Sequence, residues 1–227
     1  MEAKTLNLAS YQVLTIVAFI FVAKSSFSSA CEYNSTTPTS TNYTATIPSY
    51  YEKNTTIPSK STKTLFKNYI ITSCNSTTYP SICYSTLSPY ATKIEGNPLK
   101  LCNVSLSLAL KAANSASSTI SKILKSNNLK GIAEQVVQDC FGNVKDSIGQ
   151  LKDSLDSMGH LNGVDREFQI SNIKTWVSAS ITNDQTCSDG FDEMNVDSTL
   201  TEKIRRVVLD VARKTSNALY FINNNVY

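Results

Sequence analysis

The residue best equipped for chemistry in this chain is its single histidine, whose imidazole could act as a general base. His160 lies between two glycines, in a stretch from Met158 to Gly163 that is typical of a turn between helices. A serine or cysteine nucleophile needs such a base beside it, and no Gly-x-Ser-x-Gly sequence accompanies His160. We therefore interpret His160 as a solvated loop residue.

Paired carboxylates and metal ligands give no stronger signal for catalysis. Asp153 with Asp156 and Asp192 with Glu193 are close enough in sequence for acid–base work, but we expect them on outward faces or loops. No Cys-x-x-Cys pair occurs, and the seven glycines form no phosphate-binding loop. The sequence thus predicts a protein that is not an enzyme, with no cofactor and no metal.

The first thirty residues have the pattern of a secretory signal peptide. Lys4 precedes an apolar run from Val13 to Ala23, and small residues stand before Cys31. A membrane-spanning helix needs about 20 apolar residues, and a lipoprotein signal would have a large aliphatic residue where Ser28 stands. We expect cleavage after residue 30, which would leave a secreted, extracellular protein with no membrane segment.

Residues 31–63 have the composition of a spacer rather than a folded domain. Serine and threonine dominate, and proline recurs at every tenth position. Such a segment buries too little apolar surface to offset its ordering entropy. It is either a tether to the cell wall through sugars or a tail with no such role. Asn-x-Ser/Thr glycosylation sequons begin here at Asn34, Asn42 and Asn54, and in the following domain at Asn75 and Asn103.

Residues 64–227 are predicted to form an all-α domain. Two short helical pieces surround Pro80, which interrupts any continuous helix. Apolar residues then recur at steps of three and four in four longer stretches: Leu99–Leu124, Ile132–Met158, Ile170–Ile181, and one that follows an Asp197-Ser198 cap. Four amphipathic helices with short connections bury their apolar faces against one another. We therefore predict a disulfide-stapled, antiparallel four-helix bundle with an N-terminal helical hairpin.

The cysteine spacing suits this arrangement without fixing it. Cys74 and Cys83 flank eight residues that contain a Tyr-Pro turn, so a local bridge would staple the hairpin. Cys140 and Cys187 can meet if the second and third long helices are antiparallel neighbours. Six cysteines nevertheless allow fifteen connectivities. Cys102 is most simply a buried small hydrophobe, and Cys31 is free, paired with Cys102, or affected by the cleavage.

The charge distribution argues against nucleic-acid binding. The formal net charge is +3, and positive and negative residues are interleaved. Nucleic-acid-binding domains cluster their basic residues on one face. Arg205-Arg206 is a basic doublet with charged neighbours, and a solvated helix face explains it.

The chain resembles the plant invertase and pectin methylesterase inhibitor family over about residues 65–225. The order and spacing of several short pieces carry the resemblance: Cys74-(x8)-Cys83 with Tyr79-Pro80, Asp139-Cys140, Trp176–Ser180, Thr186–Phe191 and Thr215–Leu219. The resemblance implies a four-helix bundle that binds and blocks an enzyme. It also implies disulfides between Cys74 and Cys83 and between Cys140 and Cys187.

Within this family, two target enzymes compete. Esterase-directed members resemble this chain at Ser178-Ala179-Ser180 and at Thr186–Phe191, whereas invertase-directed members often carry Pro-Lys-Phe before the third long helix. Residues 162–168 contain no such triplet. The resemblance thus favours pectin methylesterase as the partner, with acid invertase inhibition, or a non-inhibitory cell-wall glycoprotein, as alternatives.

The resemblance also indicates candidate contact residues. Thr186 and Asp189 match contact positions of the family, unless they only cap the end of the third long helix. Plausible neighbours on the outward face of the second long helix are Lys145, Asp146, Gln150 and Asp153. Gly142 and Val144 depart from the family, many of whose members have an acidic residue and an aromatic residue at these positions.

Overall fold

The computed structural model describes residues 60–126, 129–161, 163–194 and 196–226. The predicted signal peptide, Cys31, the three sequons of the predicted spacer and most of that spacer lie outside the described residues. Helix α1 begins at Lys60, four residues before the predicted start of the domain.

The N-terminal hairpin consists of α1 (Lys60–Asn75) and α2 (Pro80–Leu87). Proline stands at the first position of α2, where its missing N–H costs no helical hydrogen bond. The Cys74–Cys83 disulfide joins the two helices across their connection. A 3-10 turn (Ser88–Tyr90) and the single turn of α3 (Ala91–Ile94) lead to the long helices.

Four long helices follow: α4 (Pro98–Lys125), α5 (Ile132–Met158), α6 (Arg166–Glu193) and α7 (Ser198–Asn225). The Asn97 side chain caps α4 by accepting a hydrogen bond of 2.9 Å from the Lys100 amide. Asp197 caps α7 in the same way through the Leu200 amide, also at 2.9 Å, as the sequence predicts.

These helices form an antiparallel bundle in which each packs against two neighbours. The main interfaces are α5 with α6 and α4 with α7, and α4 with α5 and α6 with α7 complete the ring. Helix α4 therefore lies diagonally opposite α6. The predicted all-α four-helix bundle is confirmed, and the described residues contain no β-strand.

The predicted inner faces are largely those the structure buries. Leu106, Val144, Val177 and Ile204 are fully shielded from solvent at the centre of the four long helices. Leu99 and Ile132, which the pattern places inside, are 46% and 59% exposed. Both stand in the first turn of their helix, where the bundle no longer surrounds it.

Helix α6 is longer than the sequence pattern predicts. The prediction of Ile170–Ile181 is too short at both ends, because α6 runs from Arg166 to Glu193. Its inner stripe changes from apolar to small and polar at Ser180 and continues through Asp184 to Ser188, all three of them buried. A pattern of regularly spaced apolar residues does not reveal this buried polar stripe, although Cys187 and Phe191 also lie on it.

Candidate functional site

The Cys140–Cys187 disulfide sets the register between α5 and α6. In antiparallel helices, residues at equal distances before and after the two cysteines lie at the same level. Thr186 is therefore level with Phe141, and Asp189 with Gln138. Each further residue adds about 1.5 Å along the helix axis. Distances between the predicted contact residues can therefore be counted from the disulfide.

One group of predicted contact residues lies together at the disulfide end of the bundle. Thr186 and Asp189 are exposed on the last turns of α6, and Lys145 is exposed on α5. The Lys145 ammonium lies over the Phe141 ring, 5.6 Å from its centre, which brings it back towards the level of Thr186. The side chains at this end thus combine a cation, a hydroxyl and a carboxylate.

The remaining predicted contact residues extend away from this end along α5. Asp146 and Asp153 are exposed and Gln150 is half-buried. Asp153 is thirteen residues beyond Cys140, about 20 Å along the axis. Gln150 accepts a hydrogen bond of 3.2 Å from the Asn183 amide, so it also ties α5 to α6. The predicted contact residues therefore form an elongated strip rather than one cluster.

Thr186 and Asp189 do not cap α6, because the helix continues to Glu193. The Thr186 hydroxyl donates to the Thr182 carbonyl at 2.9 Å, four residues earlier in the same helix. Among the described residues, the Asp189 carboxylate has no hydrogen-bond or ion-pair partner. The alternative interpretation of these two residues as helix caps is therefore wrong, and Asp189 is open to an external partner.

Arg205 holds the last turns of α6 at the interface with α7. Its Nε donates to the Ser188 hydroxyl at 3.1 Å, and its terminal nitrogen donates to the Ser188 carbonyl and, at 2.6 Å, to the Asp192 carboxylate. The segment from Thr186 to Asp192 is thus fixed by Cys187 to α5 and by Arg205 to α7. We call this stretch the clamped segment.

A buried carboxyl group lies next to the clamped segment, at the α5–α6 interface. Asp184 is fully shielded from solvent, and the Ser147 hydroxyl, 2.9 Å away, donates to its Oδ1. Its Oδ2 and the Ser180 hydroxyl have no hydrogen-bond partner among the described residues. Burial raises the pKa of Asp184 to about 7, and the bond from Ser147 only partly opposes this rise.

Sequence reasoning did not identify Asp184 or Arg205 as parts of this region. A signal for Asp184 was present, since it lies four residues after Ser180 and seven after Val177, on the inner stripe of α6. Arg205 carried no such signal, because its partners on α6 become neighbours only when α6 and α7 pack.

The positions that depart from the family have different surroundings. Gly142 is exposed, and a Cβ built there would meet no atom within 4 Å. Val144 is fully buried in the core. The surface beside the clamped segment therefore has open space at Gly142, whereas the side chain at 144 cannot reach it.

The described side chains of the residues considered for catalysis are not assembled into an active site. His160 is exposed in the turn after α5, with its Nδ1 2.6 Å from the Asp156 main-chain oxygen. Asp153, Asp156 and Asp192 are all exposed. Across the described ranges, no three metal-ligating side chains are grouped to hold an ion.

The one cysteine of the described residues that is not in a disulfide is a thiol in the core. Cys102 is completely buried on α4 and has no disulfide partner among the described residues. Burial raises the pKa of its thiol to about 12, so it stays protonated and packs as a small apolar group. A bridge to Cys31 concerns a residue outside the described ranges.

Comparisons with known proteins agree with this geometry. The family model described as plant invertase/pectin methylesterase inhibitor matches residues 68–221. Pectinesterase inhibitor 10 of Arabidopsis thaliana is 44% identical over 159 residues, 69% of this chain and 50% of that protein. The 21 kDa protein of Daucus carota is 39% identical over 159 residues, 69% of this chain and 82% of that protein. The chain thus spans about half the length of the first relative and about four fifths of the second.

A solved structure supports the fold independently. The crystal structure of a mutant form of a pectin methylesterase inhibitor from Arabidopsis superposes with a TM-score of 0.54 at 17% identity. The match covers 67% of this chain and 93% of that one. The family is one of inhibitors, in agreement with the expectation that this chain is not an enzyme. From the match to the family model and the identity to its relatives, the chain belongs to the plant invertase/pectin methylesterase inhibitor family.

Proposed function

We propose that this chain is a secreted inhibitor of a pectin methylesterase, which it blocks by forming a stoichiometric complex. The observation that most supports this proposal is the clamped segment, which presents Thr186 and Asp189 on a fixed backbone in a chain of an inhibitor family. Pectinesterase inhibitors are also named among its relatives, at up to 44% identity.

The clamped segment suits binding because its backbone is already ordered before the partner binds. Association costs free energy whenever a loop or side chain must be immobilised. Here a disulfide on one side and three Arg205 hydrogen bonds on the other hold the backbone of α6 in place. Binding then requires ordering only of surface side chains such as Lys145.

The proposed contact surface is the strip on α5 and α6 that begins at Thr186 and Asp189. It continues through Lys145 and Asp146 to Gln150 and Asp153, about 20 Å along α5. This length is comparable with the width of a standard interface, which buries about 800 Å² on each partner. A rigid helical surface of this size would exclude pectin from the substrate groove of the esterase without any chemical step.

The proposed site of action is outside the cell, in the apoplast or cell wall. The signal-peptide pattern of residues 1–30 supports this proposal, as do the two disulfides, which persist in oxidising compartments. In the part of the chain that the structure describes, no helix has the length and apolarity to cross a bilayer.

The test is inhibition of two enzymes in parallel. The purified, oxidised chain is added to a plant pectin methylesterase and to an acid invertase, and methanol release from pectin and sucrose hydrolysis are measured at pH 5 and 7. The proposal requires stoichiometric loss of methanol release with the invertase unaffected. Loss of sucrose hydrolysis instead would make the chain an invertase inhibitor, and no effect on either enzyme would refute both activities.

A matched pair of threonines tests the surface itself. Thr186 on α6 and Thr64 on α1 are both exposed, and each donates to the carbonyl four residues earlier, at 2.9 Å and 3.0 Å. Thr64 lies in the N-terminal hairpin, outside the proposed strip on α5 and α6. Thr186→Val should weaken inhibition, whereas Thr64→Val should leave it unchanged. Equal inhibition by the two variants would remove Thr186 from the contact surface.

A further inference from the structure

Two glycosylation sequons begin in helices of the folded chain, and the first of them continues into the connection after α1. Asn75-Ser76-Thr77 begins at the last residue of α1, and Asn103-Val104-Ser105 lies in the second turn of α4. Both asparagine side chains are exposed to solvent. Sequons that receive glycans are usually found on surface loops, whereas the asparagine of each of these two sequons lies in a helix.

The hydroxyl group of each sequon is buried, although its asparagine is exposed. Thr77 is 6% exposed and donates to the Cys74 carbonyl at 2.8 Å. Ser105 is 5% exposed and donates to the Cys102 carbonyl, also at 2.8 Å. In both sequons, the third residue therefore turns inward and bonds the carbonyl three residues before it.

The acceptor motif requires both the asparagine amide and this hydroxyl. In the transfer, the amide nitrogen bonds to the anomeric carbon of a lipid-linked oligosaccharide pyrophosphate, the lipid pyrophosphate leaves, and the amide proton passes to a base. The folded chain offers the amide but withholds the hydroxyl. We infer that Asn75 and Asn103 carry N-linked oligosaccharides that are attached before α1 and α4 fold.

The fold accommodates these oligosaccharides once they are in place. Both amides point to solvent, and Asn103 borders a shallow crevice with Leu99, which is 46% exposed. A glycan on Asn103 would cover that apolar side chain. Because α4 lies diagonally opposite α6, the glycan would not cover Thr186 or Asp189.

The first experiment maps modification in the complete chain, expressed with its N-terminal thirty residues in plant cells. Enzymatic release of N-glycans in ¹⁸O water converts each occupied asparagine to labelled aspartate, which peptide mass spectrometry locates. We expect label at residues 75 and 103. Asn114 is the internal control, since it is exposed on α4 but has Ala116 instead of a hydroxyl residue. An unlabelled Asn75 or Asn103, in secreted or retained chain, overturns the inference for that site.

The second experiment tests the order of events. Bacterially produced chain, either folded and oxidised or reduced and unfolded, is incubated with microsomal oligosaccharyltransferase and a lipid-linked oligosaccharide donor. We expect transfer to Asn75 and Asn103 of the unfolded chain only. Equal transfer to the folded chain would overturn the proposed order.

A third comparison asks whether the glycans leave the binding surface open. The chain from plant cells and its Asn75→Gln/Asn103→Gln variant should inhibit pectin methylesterase equally. Weaker inhibition by the glycosylated chain would show that the glycans reach the binding surface. Only this comparison depends on the proposed function; a chain that inhibits no esterase would leave the mapping and transfer experiments decisive.

Discussion

The side-chain amide of Asn217 on α7 pairs with the main chain of Tyr79, 138 residues earlier, through two hydrogen bonds. The Tyr79 amide donates to Asn217 Oδ1 at 3.1 Å, and Asn217 Nδ2 donates to the Tyr79 carbonyl at 3.0 Å. Asn217 is 3% exposed, and the Arg213 guanidinium lies over the Tyr79 ring. The connection between α1 and α2 is thus attached to the bundle by a specific polar contact.

Removal of this contact should loosen the hairpin while the bundle remains folded. Asn217→Ala would leave the Tyr79 amide without a partner, at a cost of about 1–3 kcal/mol. We expect a lower thermal midpoint and faster proteolysis between residues 88 and 97, which join the hairpin to α4. Asn224→Ala is the matched control, since Asn224 also lies on α7 but its amide, as far as the described residues show, bonds the Tyr220 carbonyl of its own helix. Equal proteolysis of the two variants would mean that Asn217 does not hold the hairpin.

Asp184 should make the bundle more stable in acid than at neutral pH. Its pKa is about 7 in the folded chain and about 4 in an unfolded one. Between these values, the folded chain keeps a proton that the unfolded chain releases, so this group's contribution to the free energy of unfolding falls as pH rises from about 4 to 7. The full difference is on the order of 4 kcal/mol.

The variant Asp184→Asn isolates this contribution from those of the other carboxylates. Urea unfolding of the wild type and the variant should give similar stabilities near pH 4, with the variant increasingly the more stable towards pH 7 and no further change above it. A constant difference between wild type and Asp184→Asn across this range would show that Asp184 is not protonated in the folded chain.

The general fold follows from the sequence because most of its determinants are local. Caps such as Asp197 and apolar steps of three and four along α4, α5 and α7 depend on neighbours within a turn or two. The extent of α6 could not be obtained in this way, because its second half buries Ser180, Asp184 and Ser188 instead of apolar residues. A buried polar stripe becomes recognisable only when the facing helix supplies Ser147 and Cys140.

The candidate site was predictable only in part, for a related reason. The motif around Cys187 indicated Thr186 and Asp189, and their exposure on α6 agrees with the proposed contact role, which remains a prediction. Arg205 was interpreted from its sequence as part of a solvated helix face, whereas its side chain is 31% exposed and bonds α6. Residues that act across a helix interface carry no periodic signal of their own.

Asp189 should contribute to target binding through its unpaired carboxylate. Asp189→Asn keeps the shape of the side chain and removes its charge, and we expect about tenfold weaker inhibition, equivalent to about 1.4 kcal/mol. Asp156→Asn is the matched control, because Asp156 is also exposed but lies sixteen residues beyond Cys140 on α5, about 24 Å away. Titration of the esterase with each variant measures the inhibition in both cases. Unchanged inhibition by Asp189→Asn would show that the charge of Asp189 does not contribute to the contact.

Arg205 should act on inhibition indirectly, by holding the clamped segment in place. Arg205→Gln removes the ion pair with Asp192 and weakens the bonds to Ser188, so amide hydrogens of residues 188–194 should exchange faster and inhibition should weaken. Arg206→Gln is the control: Arg206 is the next residue, and its ion pair with Glu202 is 77% exposed on both sides and contributes little.

A double-mutant cycle separates this positioning role from direct contact of Arg205 with the target. If Arg205 acts through Asp189, Arg205→Gln should weaken inhibition less in an Asp189→Asn background than in the wild type, since the positioned group is already lost. Fully additive losses would instead assign Arg205 a contact of its own. Unchanged hydrogen exchange in Arg205→Gln would show that the disulfide alone fixes the end of α6.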